Sequence, residues 1–332
     1  MKQNLEDVKK VRKILKYHWP KKKIGYIREF PEGFNNLAFD VHFVNSKENK
    51  VVKIIKTIVS EHGSKKESKI FNLLKKKFLN YPVPRVIKFD NSKKIIDKAY
   101  IITQRLKGKT FAKMYPKIYN KEEIFEKIGE FMGLMHSIKF KQYGKLDQNV
   151  KVVESYKSWY RKRSFEVNKL FKKLNKKDYL PEGFVNKQEV FWKNNKHHLK
   201  KETKPCLCHG DSGHSNIIVY KKSKNYKISG FIDFEFANSG GGVYDLFKAV
   251  QRFERIYEFR HRIVKGYTRY SNLPDNWEEL MFIYQWLENL KWLKDVQKMK
   301  WRNLTKKEDE QRRKQIIKNS VIKVNKIVKD FN

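Results

Sequence analysis

The chain has 332 residues with 39% hydrophobic and 14% aromatic side chains, enough for a substantial buried core and too apolar for a disordered polymer. Its formal charge of +40, from 76 Lys and Arg against 36 Asp and Glu, raises a polyanion such as nucleic acid as a partner. Only 14 of those basic residues are Arg, however, and the lysines run along the whole chain instead of forming the Arg-rich signature of base and phosphate readers. Nucleic acid is therefore not required, although the charge leaves it open.

Two cysteines, Cys206 and Cys208, exclude a disulfide framework and fit a reducing compartment. No uncharged apolar run is long enough for a signal peptide or a membrane span. The expectation is a soluble, cytoplasmic protein.

In chain order, Leu5, Val8, Val11 and Leu15 have helical spacing. Ile24 to Phe30, Leu37 to Val44 and Val51 to Lys56 read as short strands separated by turn residues, a β-meander. The spacing predicts a helix from Glu61 to Phe78, broken by Tyr81-Pro82-Val83-Pro84. Strands are expected at Arg85 to Phe89 and Ala99 to Arg105. Beyond Lys107-Gly108 the periods turn helical: Ile124, Ile128, Phe131, Met132 and Met135 share one face, and Tyr156 to Leu174 and Gln188 to Leu199 follow. One β-like island, Cys206 to Asp245, interrupts these helices, with strands at Ile217 to Tyr220 and Lys227 to Phe234. Trp286, Leu290, Leu293 and Val296 form a stripe expected in the core. Ile317, Val321, Val324, Val328 and Phe331 form another, expected to dock the last helix on the large lobe in preference to a membrane surface. The layout is α+β: a small β-rich lobe over residues 1–106, a connector at 103–106, and a larger, mainly α lobe over 107–332.

The sharpest chemical signal is Cys208-His209-Gly210-Asp211-Ser212-Gly213-His214-Ser215-Asn216, followed by Gly230-Phe231-Ile232-Asp233-Phe234-Glu235. Phosphoryl transfer to a hydroxyl needs a carboxylate for the hydroxyl proton and oxygen ligands that hold Mg²⁺ against the phosphates. Asp211 precedes Asn216 by the spacing of the protein-kinase catalytic loop H-R-D-x-x-x-x-N, and Asp233 follows an apolar strand as the metal-binding Asp of D-F-G does. A polar loop of Asx turns is the competing reading, and two motifs in the right order count against it.

Together these segments resemble the aminoglycoside phosphotransferase and choline kinase family of small-molecule kinases, whose loop reads H-G-D-x-x-x-x-N and whose metal segment reads I-D-F/W-E. The resemblance implies a protein-kinase-like two-lobed fold, with the catalytic loop at 208–216 and the metal segment at 230–236. It implies Asp211 as catalytic base, His209 as a structural member of the loop, and Asn216 and Asp233 as Mg²⁺ ligands. Glu235 either touches the metal or orders the loop. Asn238 to Leu246 resembles the family's G-D-P-x-x-D-L stretch, with glycines 240–242 where Gly-Asp-Pro is common, and Asp245 is expected to accept from catalytic-loop N–H groups. In the small lobe, Phe30 to Asn36 resembles the nucleotide loop, placing Gly33 and Asn35 near the phosphates. Val51 to Ile54 resembles V-A-I-K, so Lys53 is expected to pair with the phosphates and with Glu67, and Lys56 is the competing lysine. Thr103, Gln104 and Leu106 belong to a hinge that would bond the purine. The cofactors implied are ATP or GTP, and Mg²⁺.

The expected acceptor is a hydroxyl of a small molecule, since no A-P-E-type segment follows Asp233 for docking a protein. For a polycationic aminoglycoside, Glu254, Glu258, Asp275, Glu278, Glu279 and Glu288 are the candidate lining, although a +40 chain repels such a substrate at long range. For a choline- or ethanolamine-like acceptor, the candidates are Trp286, Trp292, Tyr257 and Tyr284. Sugar and amino-acid alcohols remain open, as does a non-catalytic scaffold or nucleic-acid-binding member of the fold. Cys206, Cys208, His209 and His214 invite a zinc reading, but C-x-C-H-x₄-H is not a standard knuckle, and packed thiols are the expected role.

Overall fold

The computed structural model describes residues 5–30, 36–202, 204–251, 256–298 and 305–331. Helix α1 (Leu5–His18) is followed by strands β1 (Ile24–Glu29), β2 (Asn36–Phe43) and β3 (Lys50–Ile55), helix α2 (Ile58–Lys77), and strands β4 (Val86–Asp90) and β5 (Tyr100–Gln104). The strands form one antiparallel sheet in the order β1-β2-β3-β5-β4. Alternation along β2 sends Phe39, Val41 and Phe43 to one face, where they meet Val52, Ile54 and Ile102. Helix α1 covers that face with Val11, Ile14 and Leu15, the i, i+3, i+4 stripe visible in its sequence. Lys53, one residue out of phase with Val52 and Ile54, points to the opposite face.

That opposite face meets α2. The Thr57 side chain caps this helix by accepting from Ser60 N–H at 3.2 Å, and the helix stops before the proline-rich break. Its apolar residues Ile70, Phe71 and Leu74 join the larger core, not the core under α1. Phe71 packs edge-on against Phe234 with ring centroids 5.5 Å apart. Helix α2 therefore ties the small sheet to the segment around Phe234.

The rest of the chain comprises β6 (Lys109–Thr110), the one-turn helix α3 (Phe111–Met114), α4 (Lys121–His136), β7 (Tyr143–Leu146), β8 (Val152–Tyr156), α5 (Trp159–Leu174) and α6 (Phe184–Asn195). Then come β9 (Cys206–Cys208), β10 (Ile217–Lys222), β11 (Asn225–Phe231), β12 (Asn238–Gly240), α7 (Gly242–Val250), α8 (Ile256–Tyr267), α9 (Trp277–Asp295) and α10 (Lys306–Phe331). Two small sheets, β11-β10-β6 and β8-β7-β12-β9, sit among the helices. The fold is α+β, a β-sheet region followed by a mainly helical one. No described helix is long and apolar enough to cross a membrane.

The elements depart from the sequence reading in two informative places. The helix expected from Tyr156 begins at Trp159, because Ser158 is its N-cap and accepts from Arg161 N–H at 3.2 Å; Val152 to Tyr156 instead pair with β7. Strand β11 ends at Phe231 and not at Phe234, because Asp233 adopts a left-handed conformation with φ 70°. The core stripe of α9 is as expected: Trp286, Leu290, Leu293 and Val296 are fully buried. So is the docking of α10, whose Ile317, Val321 and Val324 are buried in the larger core.

Candidate active site

The site is built on a hairpin. Antiparallel β10 and β11 pair Ile217 with Phe231, so the segment entering β10 and the segment leaving β11 lie side by side. Ile232 N–H donates to Asn216 C=O at 3.0 Å and continues the pairing one step past the sheet. Asn216 and Asp233, seventeen positions apart in the sequence, are thereby brought together.

The loop between β9 and β10 is held from beneath by Asp245 in the first turn of α7. Its two carboxylate oxygens accept from His209 N–H at 2.7 Å and Gly210 N–H at 2.9 Å, as expected from the sequence. Its burial is complete; burial alone would raise its carboxyl, but His136 and these donors hold it below the usual carboxylate range. His209 is a positioning residue. Its Nδ1 accepts from Asp211 N–H at 3.3 Å, its Nε2 faces Ile232 C=O at 3.0 Å, and its ring lies 4.1 Å from that of Phe234. It clamps the 208–216 loop to the 230–236 segment. Gly210, at φ +82°, is needed because a Cβ there would lie 2.2 Å from Phe236 O.

Asn216 Nδ2 donates to the Asp211 backbone carbonyl at 2.8 Å and to Asp211 Oδ2 at 3.0 Å. With the amide nitrogen so engaged, Oδ1 is the atom Asn216 has to offer a cation. Asp233 adds a carboxylate that is 36% exposed. The donor set is all oxygen, the hard type that suits Mg²⁺. Glu235 lies in the short turn after Asp233, with its Cβ against Gly63 of α2.

Above the carboxylates, Lys53 Nζ lies 3.2 and 3.3 Å from the Glu67 oxygens and 3.7 Å from Asp233 Oδ1. Burial disfavours the ammonium, but Glu67, Asp233 and Glu235 outweigh it and hold the Lys53 pKa above its ordinary value. Lys56 is exposed. Beside Glu67 on α2 is a residue the sequence reading passed over: Lys66 is buried and donates to Ala237 C=O at 2.9 Å. Nothing in local sequence distinguishes Lys66 from the other lysines of an amphipathic helix.

In the connector, Gln104 N–H is committed to Arg85 C=O at 2.9 Å and Arg105 N–H to Asn49 C=O at 3.1 Å, while Thr103 pairs within the sheet between Val51 and Val86. Leu106 packs on β11, where a Cβ at Gly230 would meet its Cδ1 at 2.7 Å. Gly33 and Asn35 of the expected nucleotide loop lie outside the described residues, as do Glu254 and the side chains of Tyr257 and Glu258.

The candidate acceptor residues are rearranged by the structure. Trp286 and Tyr284 are fully buried, with Trp286 Nε1 bonded to Gln188 at 2.8 Å and Tyr284 to Glu202, so neither offers an aromatic face to an ammonium. Glu288 accepts from Tyr244 at 2.7 Å, Lys291 at 2.8 Å and Lys248 at 3.0 Å. Glu278 pairs with Arg260 at 3.2 Å. These carboxylates already have cationic partners.

A hairpin-borne Asp-Asn-Asp cluster under a Lys-Glu pair defines a protein-kinase-like phosphotransferase fold, and comparison with known proteins gives the family. The profile of the phosphotransferase enzyme family matches residues 27–283, and the chain belongs to that family. No curated protein matches the sequence. Among solved structures, the chain is similar to the GDP complex of aminoglycoside 2'-phosphotransferase-IIIa, with TM-score 0.69, 14% identity and 99% of both chains covered. It is similar to a thermostable aminoglycoside phosphotransferase mutant in ternary complex with ADP and hygromycin B, with TM-score 0.62, 14% identity, and 96% of this chain and 98% of that one covered. It is also similar to a putative fructosamine-3-kinase from Haemophilus somnus, with TM-score 0.58, 16% identity, and 98% of this chain and 97% of that one covered.

Proposed function

We propose that the protein transfers the γ-phosphoryl group of ATP or GTP to a hydroxyl group of a small molecule. The observation that carries this reading is the convergence of Asp211, Asn216 and Asp233 on one hairpin end, with Asp233 3.7 Å from a partly buried Lys53 that is paired with Glu67. Asp211 is the base: Asn216 fixes its carboxylate, which accepts the acceptor proton as the hydroxyl attacks in line. Lys53, oriented by Glu67, draws the α- and β-phosphates, and Lys56 has no part. Asn216 Oδ1 and the Asp233 carboxylate would hold Mg²⁺, with Glu235 ordering the turn behind them, and an ion held there would neutralise charge on the transferred phosphoryl group. His209 keeps base and ligands in register. Transfer is direct, with no covalent enzyme intermediate.

The purine sits against the connector, where Leu106 N–H bonds no protein group among the described residues and is the free donor. Gly33 and Asn35 would close over the phosphates, and the two lobes, 1–106 and 107–332, close on one cleft. Neighbours of the same fold are solved with GDP, ADP or AMP-PNP, which supports a purine nucleotide donor. Some of these also hold kanamycin or hygromycin B, and another neighbour is named as a putative fructosamine-3-kinase, which supports a hydroxyl-rich, sugar-like acceptor. The ion pairs of Glu278 and Glu288 favour an acceptor less cationic than an aminoglycoside. Two free, buried thiols support a cytoplasmic setting.

The test is a panel of sugars, amino alcohols and aminoglycosides incubated with Mg²⁺ and either ATP or GTP, read as acceptor-dependent ADP or GDP release. Turnover with at least one alcohol, lost in Asp211→Asn, is expected. Silence across the panel while nucleotide still binds would favour the scaffold reading instead.

A further inference from the structure

We propose that Cys206, Cys208 and His136 form a binding site for a thiophilic divalent cation, Zn²⁺, beneath the catalytic loop and separate from the Mg²⁺ ligands. Alternation along β9 puts both cysteines on one face, with their sulfurs 3.7 Å apart. Two thiolates sharing one tetrahedral ion at bond lengths of about 2.3 Å sit roughly 3.8 Å apart. His136, at the end of α4, supplies the third donor, and the three ligand atoms all lie within 4.8 Å of one another. All three residues are buried, so the donors are held before any ion arrives.

The histidine is oriented as a ligand would be. Its Nε2 lies 3.1 Å from Asp245 Oδ2, the carboxylate partner that fixes the ring and raises the basicity of the opposite nitrogen in metal-bound imidazoles. Its Nδ1 faces the space left by Gly242. A Cβ built on Gly242 would lie 2.8 Å from Tyr267 Oη, 3.1 Å from His136 Nδ1 and 3.6 Å from Cys206 Sγ, and one on Gly240 would lie 3.0 Å from Cys208 Sγ. Side chains at these two positions would intrude among the donors; Gly240 and Gly242 keep that space clear. Tyr267 Oη, 3.1 Å from Nδ1, stands where a fourth ligand or a displaced water belongs. Cys206, Gly242, Tyr267 and Glu202 also line a cavity of about 400 Å³ beside the donors.

Soft thiolate and imidazole donors here and hard oxygen donors at Asn216 and Asp233 sort the two ions by chemistry. Because Cys208 precedes His209, and Asp245 bonds both His136 and the loop N–H groups, an ion here would fasten α4, β9 and the catalytic loop together.

The test uses the full-length, reduced protein. Titration with Zn²⁺ against a chromophoric chelator should give one ion per chain and a raised Tm, and Co²⁺ should give a thiolate-to-metal charge-transfer band. Cys206→Ser and Cys208→Ser should each abolish the band and weaken Zn²⁺ at least about tenfold. No band in the wild-type protein, or Zn²⁺ affinity unchanged in both variants, overturns the site. Should the variants not fold, the wild-type chain still decides: it has only two cysteines, so saturating Zn²⁺ should protect both from a thiol reagent. Binding that leaves both thiols reactive places the ion elsewhere and refutes the proposal.

Discussion

Asn216 donates its carboxamide to Asp211 twice, to the side-chain Oδ2 at 3.0 Å and to the backbone carbonyl at 2.8 Å, which pins the proposed base by the residue proposed to hold the metal. Asp211→Asn keeps the shape but removes the proton acceptor. The expected outcome is a fall in kcat of roughly 10²–10⁴-fold, the range of general-base catalysis, with the nucleotide Kd nearly unchanged. Isothermal titration beside steady-state kinetics separates the two; retained turnover would show that another group takes the proton.

Lys53 and Glu67 act as a pair with unequal weight. Lys53→Met removes the cation proposed to meet the phosphates and should cost about 10²-fold or more in kcat/KM, the scale of one lost electrostatic contact at a reacting centre. Glu67→Gln leaves Lys53 with Asp233 at 3.7 Å, so a loss of about tenfold is expected. Lys56→Met, on an exposed residue, should stay within about twofold of wild type. A larger loss in Lys56→Met than in Lys53→Met would reverse the assignment.

Gly210→Ala tests the loop itself. The new Cβ meets Phe236 O at 2.2 Å with the backbone at φ +82°, so the loop must move off the metal segment. At least about 2 kcal/mol of stability should be lost, as both left-handed strain and a backbone clash are involved. Urea unfolding measures the stability, and kcat should fall with it.

The parts of the site readable in sequence were those whose chemistry fixes their spacing. Asp211, Asn216 and Asp233 belong to two short segments joined by one hairpin, so local pattern sufficed. The first strands were legible because Phe39, Val41 and Phe43 alternate and turn residues bracket them. His136 was not legible as a partner of Cys206 and Cys208: it sits on another element, about 70 residues earlier, and only the packing of α4 on β9 brings it there. The zinc reading in sequence accordingly looked to His209 and His214, whereas His209 Nε2 faces Ile232. Trp286 and Tyr284 misled for the opposite reason, since residue type cannot tell an aromatic that lines a pocket from one that fills a core. Strand β8 was passed over because Val152 to Tyr156 carries no turn signal before the Ser158 cap, and the predicted helix overran only its last residue, Tyr156.

The Glu288 cluster predicts a pH dependence with a definite sign. Burial alone would raise this carboxyl, but Lys291 and Lys248 outweigh it and hold the pKa down at about 2, against 4.5 for an ordinary glutamate. A carboxyl depressed on folding contributes stability that is fully present above its unfolded pKa and lost as pH falls through the folded value. The window is therefore about pH 4.5 down to 2, and the contribution is at most about 3 kcal/mol. The pair as a whole gives less, because burial and Arg163 also pull the Lys291 pKa down, so part of the gain at Glu288 is offset at its partner. Glu288→Gln should lower Tm at neutral pH, with the gap to wild type closing between about pH 4.5 and 2. Urea unfolding of both proteins across that range checks it; a gap that widens on acidification would mean that the lysines do not stabilise the ionised carboxylate.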